Sequence, residues 1–246
     1  MKQGVFISVV LVVSLIASYF IFEYGLPDYI KEGGYIVIGL IAMTIMVVTF
    51  IFERVFSLRK AQGRGSLAVY LKNVTQEINK GNIDGAIAAC DKQRGSCANI
   101  IRTGLDKYKQ LLQDGDVKGQ KEMMAEVQRA IEEAMLLEVP LLEKNLVALS
   151  TIASVATMWG LLGTVLGMIR SFRAMAKAGS PDAVQLALGI SEALINTAGG
   201  LIAAIGGILA YNFFTTKVDN FTYMIDEASY SIVQSLAEKF PAGKSK

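Results

Sequence analysis

Apolar residues in this chain are grouped into four long runs that are separated by polar segments. The first two runs cover residues 4–22 and 33–52, and neither contains a charged residue. The other two, residues 145–169 and 193–216, are also uncharged. About 20 consecutive apolar residues are enough for a helix to cross the hydrocarbon core of a bilayer. The pattern therefore predicts four transmembrane helices, two near the N-terminus and two in a long hairpin.

The segment between the second and third runs, residues 54–144, has a different pattern. Apolar residues recur there every three or four positions, as on one face of an amphipathic helix. There are three such series: Leu67, Tyr70, Leu71, Val74, Ile78, then Ile100, Ile101, Leu105, Tyr108, Leu112, then Met123, Val127, Ala130, Ile131, Ala134, Leu137. We expect a helical bundle, in which Ser96 caps a helix that begins near Ala98 and Pro140 kinks the last helix.

These patterns divide the chain into five segments. They are a first membrane helix with an acidic connector (1–32), a second membrane helix (33–53), a cytoplasmic helical region (54–144), a membrane hairpin (145–216) and a C-terminal cytoplasmic helix and tail (217–246). The first apolar run is longer than the core of a typical signal peptide, and no A-x-A cleavage site follows it. We therefore expect the first helix to be retained.

The charged residues that flank the apolar runs predict the topology. A basic cluster, Arg54, Arg59, Lys60 and Arg64, follows the second run, whereas the connector before that run carries Glu23, Asp28 and Glu32. Loops rich in Lys and Arg remain on the cytoplasmic side. The hairpin turn, with Arg170, Arg173 and Lys177 against Asp182, has the opposite bias, but the basic cluster is larger and flanks an earlier helix. We therefore expect both termini in the cytoplasm.

Composition excludes several classes of function. Hydrophobic residues make up 52% of the 246 residues, and mean hydropathy is +0.42, as in a membrane protein. A net charge of +2 argues against a nucleic-acid-binding surface. The chain has no His, and Cys90 and Cys97 alone make a poor metal site, so we expect reduced thiols and no metal or other cofactor. Without a Ser/His pair or a nucleotide-binding loop, we expect no enzyme.

The hairpin contains the polar residues that carry the functional argument. Ser150, Ser154, Thr157 and Thr164 form a hydroxyl stripe on the first hairpin helix. Glu192 and Asn196 share a face of the second helix, and Thr197 follows directly. A carboxylate in a membrane helix costs several kcal/mol unless it faces protein or water, so these residues predict an ion path. The alternative is that Glu192 lies near the lipid headgroups and reaches toward water.

Small residues in both hairpin helices predict close helix packing. Gly160, Gly163 and Gly167 recur in the first helix, and the second has Gly189, Ala193, Thr197, Gly200, Ala204 and Gly207 at spacings of four and three. Faces of small residues let membrane helices approach closely. We expect these faces to pack helices within one chain and between neighbouring subunits.

Two hairpin motifs resemble a known family. They are W-G-L-L-G-T-V-L-G-M-I-R-S-F (159–172) and L-G-I-S-E-A-L-I-N-T-A-G-G-L (188–201), followed by Y-N-F-F (211–214). In this order and spacing they resemble the signature of the ExbB/TolQ/MotA proton-channel family. The first helix and its acidic connector resemble ExbB-type proteins of the Bacteroidota branch.

The resemblance implies a stator subunit of an inner-membrane motor. Such proteins form a pentamer around a dimer of an ExbD-like or TolR-like single-span partner, whose membrane helix carries a protonatable Asp. At the matching positions, Thr164 and Thr197 would line the proton path, with Glu192 beside it. The motor would energise TonB-dependent outer-membrane transport through a TonB-like protein.

Two positions depart from the family pattern, and several functions remain open. The family often has Pro near the position of Thr157 and again where Gly206 stands. Helix kinks expected at those prolines would be weaker or differently placed here. The alternatives are a TolQ-like envelope motor, a gliding or secretion motor, a partner-independent channel for protons or sodium ions, and a membrane scaffold.

The topology can be tested by labelling single cysteines with an impermeant maleimide. In a background in which Cys90 and Cys97 are replaced by Ala, Asp28→Cys should react in intact spheroplasts, because the connector is outside. Gln110→Cys should react only after the membrane is permeabilised. Labelling of Gln110→Cys in intact spheroplasts would contradict the topology.

Overall fold

The computed structural model describes residues 3–114, 119–177 and 183–239, and every regular element in these ranges is helical. The elements are α1 (Gln3–Phe20), a π-helical turn (Ile21–Gly25), α2 (Asp28–Lys31), α3 (Ile36–Gln62), α4 (Leu67–Asn79), α5 (Ile83–Gln93), α6 (Ser96–Asp114), α7 (Gln120–Glu143), α8 (Leu146–Lys177) and α9 (Ala183–Lys239). Four helical stretches, which contain α1, α3, α8 and α9, are long and apolar enough to cross a membrane. The predictions of an all-α protein and of four membrane-spanning helices are confirmed.

The chain divides into two compact units. The first, called the apolar unit below, comprises Met1–Arg54 and Asn145–Phe214. The second, called the polar unit, comprises Val55–Lys144 and Thr215–Lys246. The predicted hairpin turn at residues 178–182 and the tail at 240–246 lie outside the described residues.

The polar unit is a helical bundle whose core comes from the amphipathic faces. Most members of the three series seen in the sequence are buried, among them Val74, Ile78, Ile100, Ile101, Leu105, Val127 and Ile131. The C-terminal half of α9 adds Ile225, Ile232 and Leu236 to the buried residues of this unit. Burial of these faces is the main source of stability for such helices, because isolated helices of this length are marginal in water.

The structure moves one predicted helix boundary. Helix α6 begins at Ser96 with the Asn99 amide donating to the Gly95 carbonyl, so Ser96 is inside the first turn and does not cap it. Pro140, where we predict a kink, lies inside α7. The break between α7 and α8 falls at Asn145, whose φ of 66° is left-handed and cannot continue a helix.

Helix α9 does not end where the sequence analysis placed a segment boundary. It runs without interruption from Ala183 to Lys239, across the predicted boundary at residue 217. Neither Gly nor Pro occurs between Ile208 and Lys239, and buried apolar residues continue at spacings of three and four through Phe214, Val218, Phe221 and Ile225. The sequence pattern changes from apolar to polar along α9, but the helix continues across this change.

Both cysteines of the polar unit are free and buried. The Tyr70 hydroxyl donates to the Cys90 sulfur at 3.2 Å. Burial raises the pKa of the Cys97 thiol to about 12 and also raises the pKa of Cys90. Thiolate is the reactive form of cysteine, so both thiols are held in the inert form at neutral pH.

In the apolar unit, α8 and α9 pack against each other through the small residues. A Cβ atom added at Gly200 would lie 2.8 Å from the carbonyl oxygen of Ala156 and 2.9 Å from the Cα atom of Gly160. One added at Gly167 would lie 2.8 Å from the carbonyl oxygen of Gly189. Only glycine allows two helix backbones to approach this closely.

These contacts change the interpretation of the small faces. Gly160, Gly163, Gly167, Gly189 and Gly200 all face the other hairpin helix of the same chain. Ala204 is also buried, with 3% exposure in the single chain. The expectation that the Gly163 and Gly200 faces join neighbouring subunits does not agree with these contacts, because the faces are already occupied.

Two glycines of α9 give a matched test of this packing. Gly200→Ala should lower stability by about 1–3 kcal/mol, because its new methyl group meets backbone atoms that cannot rotate away. Gly206→Ala should be neutral or raise stability by up to about 1 kcal/mol, since apart from the backbone of its own helix nothing lies within 4 Å of its Cβ position, and Ala is the better helix former.

The measurement is the thermal unfolding midpoint of both variants in the same detergent, followed by circular dichroism. Equal midpoints for the two variants would contradict the tight backbone contact at Gly200.

Candidate functional site

Glu192 is buried in the apolar unit and forms an ion pair. Its side chain is 9% exposed, and its Oε1 atom accepts a hydrogen bond from Nη1 of Arg170, whose side chain is 59% exposed. Gly34, with a φ of 70°, passes close by, and a Cβ atom there would lie 3.2 Å from Oε1 of Glu192. Glycine is needed at this position both for the left-handed backbone and for the close approach.

Sequence reasoning missed the pairing of Glu192 with Arg170. It treated Arg170 only as one of the charges near the hairpin turn. A signal was available, because Arg170 lies eight residues before the turn at 178–182 and Glu192 lies ten residues after it. Residues at similar distances from the turn of a helical hairpin lie at similar heights, and an intramembrane carboxylate needs a partner.

Asn196 lies one turn further along α9 and is completely buried. Its Nδ2 atom donates to the carbonyl oxygen of Gly33 at 3.0 Å, whereas its Oδ1 atom has no hydrogen-bond partner. A Cβ atom at Gly163 would overlap the Asn196 side chain. The absence of a side chain at Gly163 therefore creates the space in which Asn196 lies.

The end of the connector is bound to the hairpin by further polar contacts. The Ser191 hydroxyl donates to Oε2 of Glu32 at 3.0 Å. The indole Nε1 of Trp159 donates to the carbonyl oxygen of Ile36 at 3.2 Å. The connector end of α3 and the first turns of α9 thus meet at the same end of the apolar unit.

The two threonines predicted to line an ion path point to one side of the hairpin. Gly163 and Asn196 face each other across the antiparallel helices α8 and α9. Each is followed directly by one of the threonines, Thr164 and Thr197. Each residue along a helix rotates the side-chain direction by about 100°. Because the two helices are antiparallel, the rotation from Gly163 to Thr164 and the rotation from Asn196 to Thr197 bring both threonines to the same side. Thr164 and Thr197 therefore point to a common side, which is called the hydroxyl side below.

Helix α3 covers the opposite side. A Cβ atom at Gly39 of α3 would lie 2.6 Å from Nε1 of Trp159, and one at Gly199 would lie 3.1 Å from Cδ1 of Leu40. Trp159 is four residues before Gly163, which turns it away from the direction of Thr164. Within the described chain, the hydroxyl side is thus the side that α3 leaves open.

The polar residues of the predicted ion path do not all come together. Glu192 precedes Thr197 by five residues, a rotation of about 140°, and contacts Arg170 and the Gly34 turn instead. Hydroxyls of α8 donate to carbonyl groups of their own helix: Thr164 to Leu161 at 2.6 Å, Thr157 to Ala153 at 3.3 Å, and Ser154 to Ser150 at 3.1 Å. Ser154 and Thr157 are exposed.

Thr197 differs from Ser154, Thr157 and Thr164, whose hydroxyls bond to carbonyls of their own helix. Its Oγ1 atom is buried and makes no hydrogen bond. Most buried polar atoms in proteins are paired, so such an atom indicates a missing partner or water. Among the residues that the structure describes, no group of three or more His, Cys, Asp or Glu is placed to hold a metal ion.

Comparison with known sequences identifies the family. Residues 92–227, more than half of the chain, match the family model described as the MotA/TolQ/ExbB proton channel family. The chain belongs to this family. The match includes α8, the hairpin turn and the polar residues of α9.

Relatives of two kinds are similar to this chain. The Tol-Pal system protein TolQ of Pseudomonas aeruginosa is 30% identical, over 74% of this chain and 78% of TolQ. An ExbB-like biopolymer transport protein of Synechocystis is 32% identical, over 74% of this chain and 81% of that protein. The biopolymer transport protein ExbB of Pseudomonas putida is 39% identical over a shorter region, 35% of this chain and 26% of that protein.

The family relationship that the two hairpin motifs indicated is thereby confirmed. With four apolar helices, the chain is a multi-pass membrane protein of a proton-channel family.

A double-mutant cycle tests the ion pair. Arg170→Gln should lower stability by about 1–2 kcal/mol, because it leaves the buried Glu192 carboxylate without its cation, while the exposed guanidinium keeps the loss small. Glu192→Gln/Arg170→Gln should be more stable than Arg170→Gln alone, because no charge is then left unpaired.

Thermal unfolding of the four proteins in one detergent measures the coupling. Additive losses in the double variant would mean that the pair contributes nothing.

Proposed function

We propose that this chain is the channel subunit of an inner-membrane motor that converts the proton motive force into mechanical work. It works with an ExbD-like or TolR-like partner that crosses the membrane once. The observation that carries this proposal is the buried, unpaired hydroxyl of Thr197 on the same side of the hairpin as Thr164. Family membership and the named relatives support the same function.

The hydroxyl side has the chemistry that proton passage requires. A threonine hydroxyl both donates and accepts a hydrogen bond, so two threonines and bridging water can form a continuous route. A buried hydroxyl without a partner costs about 1–3 kcal/mol, a cost that a partner's carboxyl group or a water molecule would remove. The chain therefore lacks one component of the route, which the partner helix supplies.

Assembly follows from which side of the hairpin remains open. Helix α3 covers one side through Trp159 and Gly199, so the other side is free to face a central helix. We propose a pentamer of this chain around a dimer of the partner, with both termini and the polar unit in the cytoplasm. One charge crossing 100 mV releases about 2.3 kcal/mol, so mechanical work requires the passage of several protons.

Glu192 is assigned a positioning role in this scheme. Its carboxylate is paired with Arg170 and adjoins Gly34, on a different face of α9 from Thr197. It fixes the start of α9 against α8 and the connector, and thereby sets the position of Thr197. We expect Glu192→Ala to impair the motor mainly by loosening this contact, and Glu192→Gln to be milder.

A separate question is which machine the proposed motor drives. We propose that the motor energises TonB-dependent outer-membrane transport through a TonB-like protein, with a TolQ-like envelope motor as the alternative. The alternative is favoured by the Pseudomonas aeruginosa TolQ relative, which aligns over most of both chains. Gene deletion separates them: loss of growth on ferric siderophores indicates the TonB type, whereas chained cells and detergent sensitivity indicate the Tol type.

The hydroxyl route predicts the behaviour of isosteric variants. Thr164→Val and Thr197→Val should each reduce proton-dependent activity at least about tenfold, because Val has a similar volume but no hydroxyl. Assembly with the partner should be unchanged. The measurement is proton flux into liposomes that contain the purified complex, with complex integrity checked by size-exclusion chromatography.

Thr151→Val is the matched control. Thr151 is an exposed threonine on α8 whose hydroxyl donates to the Val147 carbonyl, and it points away from the hydroxyl side. It should retain full flux. Full flux in both test variants would remove the hydroxyls from the mechanism, and flux through this chain without the partner would favour a partner-independent channel.

A further inference from the structure

A cavity of about 570 Å³ lies in the polar unit, apart from the hairpin site. It is open to solvent, and its walls are the C-terminal end of α3, the loop that follows it, the loop between α5 and α6, and the last turns of α7. Three cationic side chains line it: Lys60, Arg64 and Arg94.

The charges around this cavity are not balanced. Glu138 is the one carboxylate among the residues that line it, and its Oε1 atom accepts a hydrogen bond from Asn99 at 2.9 Å. None of the three cations is in an ion pair with a carboxylate in the described ranges 3–114, 119–177 and 183–239. The cavity therefore has an excess of two positive charges.

The first turn of α6 adds neutral donors to the same cavity. Ser96 is only 7% exposed, yet it lines the cavity, and no hydrogen bond involves its hydroxyl in the described structure. The amides of the first helical turn have no acceptor within their own helix, and a helix N-terminus favours a bound anion. The Ser96 hydroxyl is therefore a donor at the cavity surface that no other group of the described chain uses.

The backbone that holds these groups is specifically shaped. The Arg64 amide donates to the Gln93 carbonyl at 2.8 Å, which ties the two cation-bearing loops together. Gly63 and Gly95 have φ of 78° and 97°, and a Cβ at Gly95 would lie 2.5 Å from the Ala61 carbonyl oxygen. Arg94 itself has a φ of 56°, an unfavourable region for a residue with a side chain. Strain of this kind is found mainly at functional sites.

We propose that this cavity binds a phosphate-bearing anion. Lys60, Arg64 and Arg94 would supply charge-assisted hydrogen bonds to its oxygens, and Ser96 a neutral one. Two sources share this chemistry: the headgroup of an acidic phospholipid, and soluble phosphate. The lipid source is consistent with Leu141 in the cavity wall and with the position of Lys60, eight residues after the apolar run that ends at Phe52.

The test compares two double variants that each remove two positive charges from the full-length protein. Lys60→Gln/Arg94→Gly removes two cations of the cavity, and glycine suits the left-handed backbone at position 94. Arg59→Gln/Lys92→Gln removes two cations that are sequence neighbours of these and equally exposed but do not line the cavity. Circular dichroism and elution volume check that each variant is folded.

Two probes distinguish the sources. In the first, native mass spectrometry counts the phosphatidylglycerol molecules that the protein retains from micelles containing both phosphatidylglycerol and phosphatidylcholine. In the second, calorimetry measures the binding of inorganic phosphate to the protein in phosphatidylcholine nanodiscs. Affinity for at least one probe should fall about tenfold or more in the cavity variant, because charge-assisted hydrogen bonds are lost. The control variant should change less than about twofold, because charges outside the cavity are screened.

Loss of phosphatidylglycerol retention alone assigns the lipid headgroup, and loss of phosphate binding assigns a soluble ligand. Ser96→Ala, which alters no charge, should weaken the same probe about threefold and provides a second measurement if the double variant does not fold. The proposal is overturned if neither probe binds the unmodified protein, if the control loses as much affinity as the cavity variant, or if Ser96→Ala and the foldable cavity variants leave affinity unchanged.

Discussion

The close approach of α8 and α9 is the constraint on which the membrane part of this protein depends. Gly160 and Gly200 bring the two backbones together, and Gly163 leaves the space that Asn196 occupies. An amide side chain buried among apolar residues needs hydrogen-bond partners. The Gly33 carbonyl accepts from Nδ2 of Asn196 and so draws the connector onto the hairpin, whereas Oδ1 of Asn196 has no partner in the described chain.

The same approach separates the two kinds of polar residue in the hairpin. Glu192 is held on the side where Arg170 and Gly34 can reach it. Thr164 and Thr197 are turned to the other side, away from the α3 contact at Trp159. The hairpin thus has one side that holds its own structure together and one that α3 leaves open, and the proposed assembly would use the open side to face the partner helix.

Unpaired polar groups mark where the chain is incomplete. In the apolar unit the buried Thr197 hydroxyl makes no hydrogen bond, and in the polar unit no hydrogen bond of the described chain involves the Ser96 hydroxyl, which lines the cavity. In each case the group lies next to others of matching chemistry: a second threonine on the hydroxyl side, and three cations in the cavity. A buried donor without a partner is costly, and in the functions proposed above the Thr197 hydroxyl meets the partner helix and the Ser96 hydroxyl meets a bound anion.

The sequence by itself determined the four membrane helices, the amphipathic bundle and the family. Hydrophobic runs and three-four spacing report burial directly, so residues such as Val74 and Ile131 could be placed in a core without coordinates. Only the tertiary structure decided which partners the polar residues find. Arg170 pairs with Glu192, and the glycine faces close within one chain, because both outcomes depend on the rotation and height of α8 against α9. Local patterns set which residues share a face of one helix but not what that face meets.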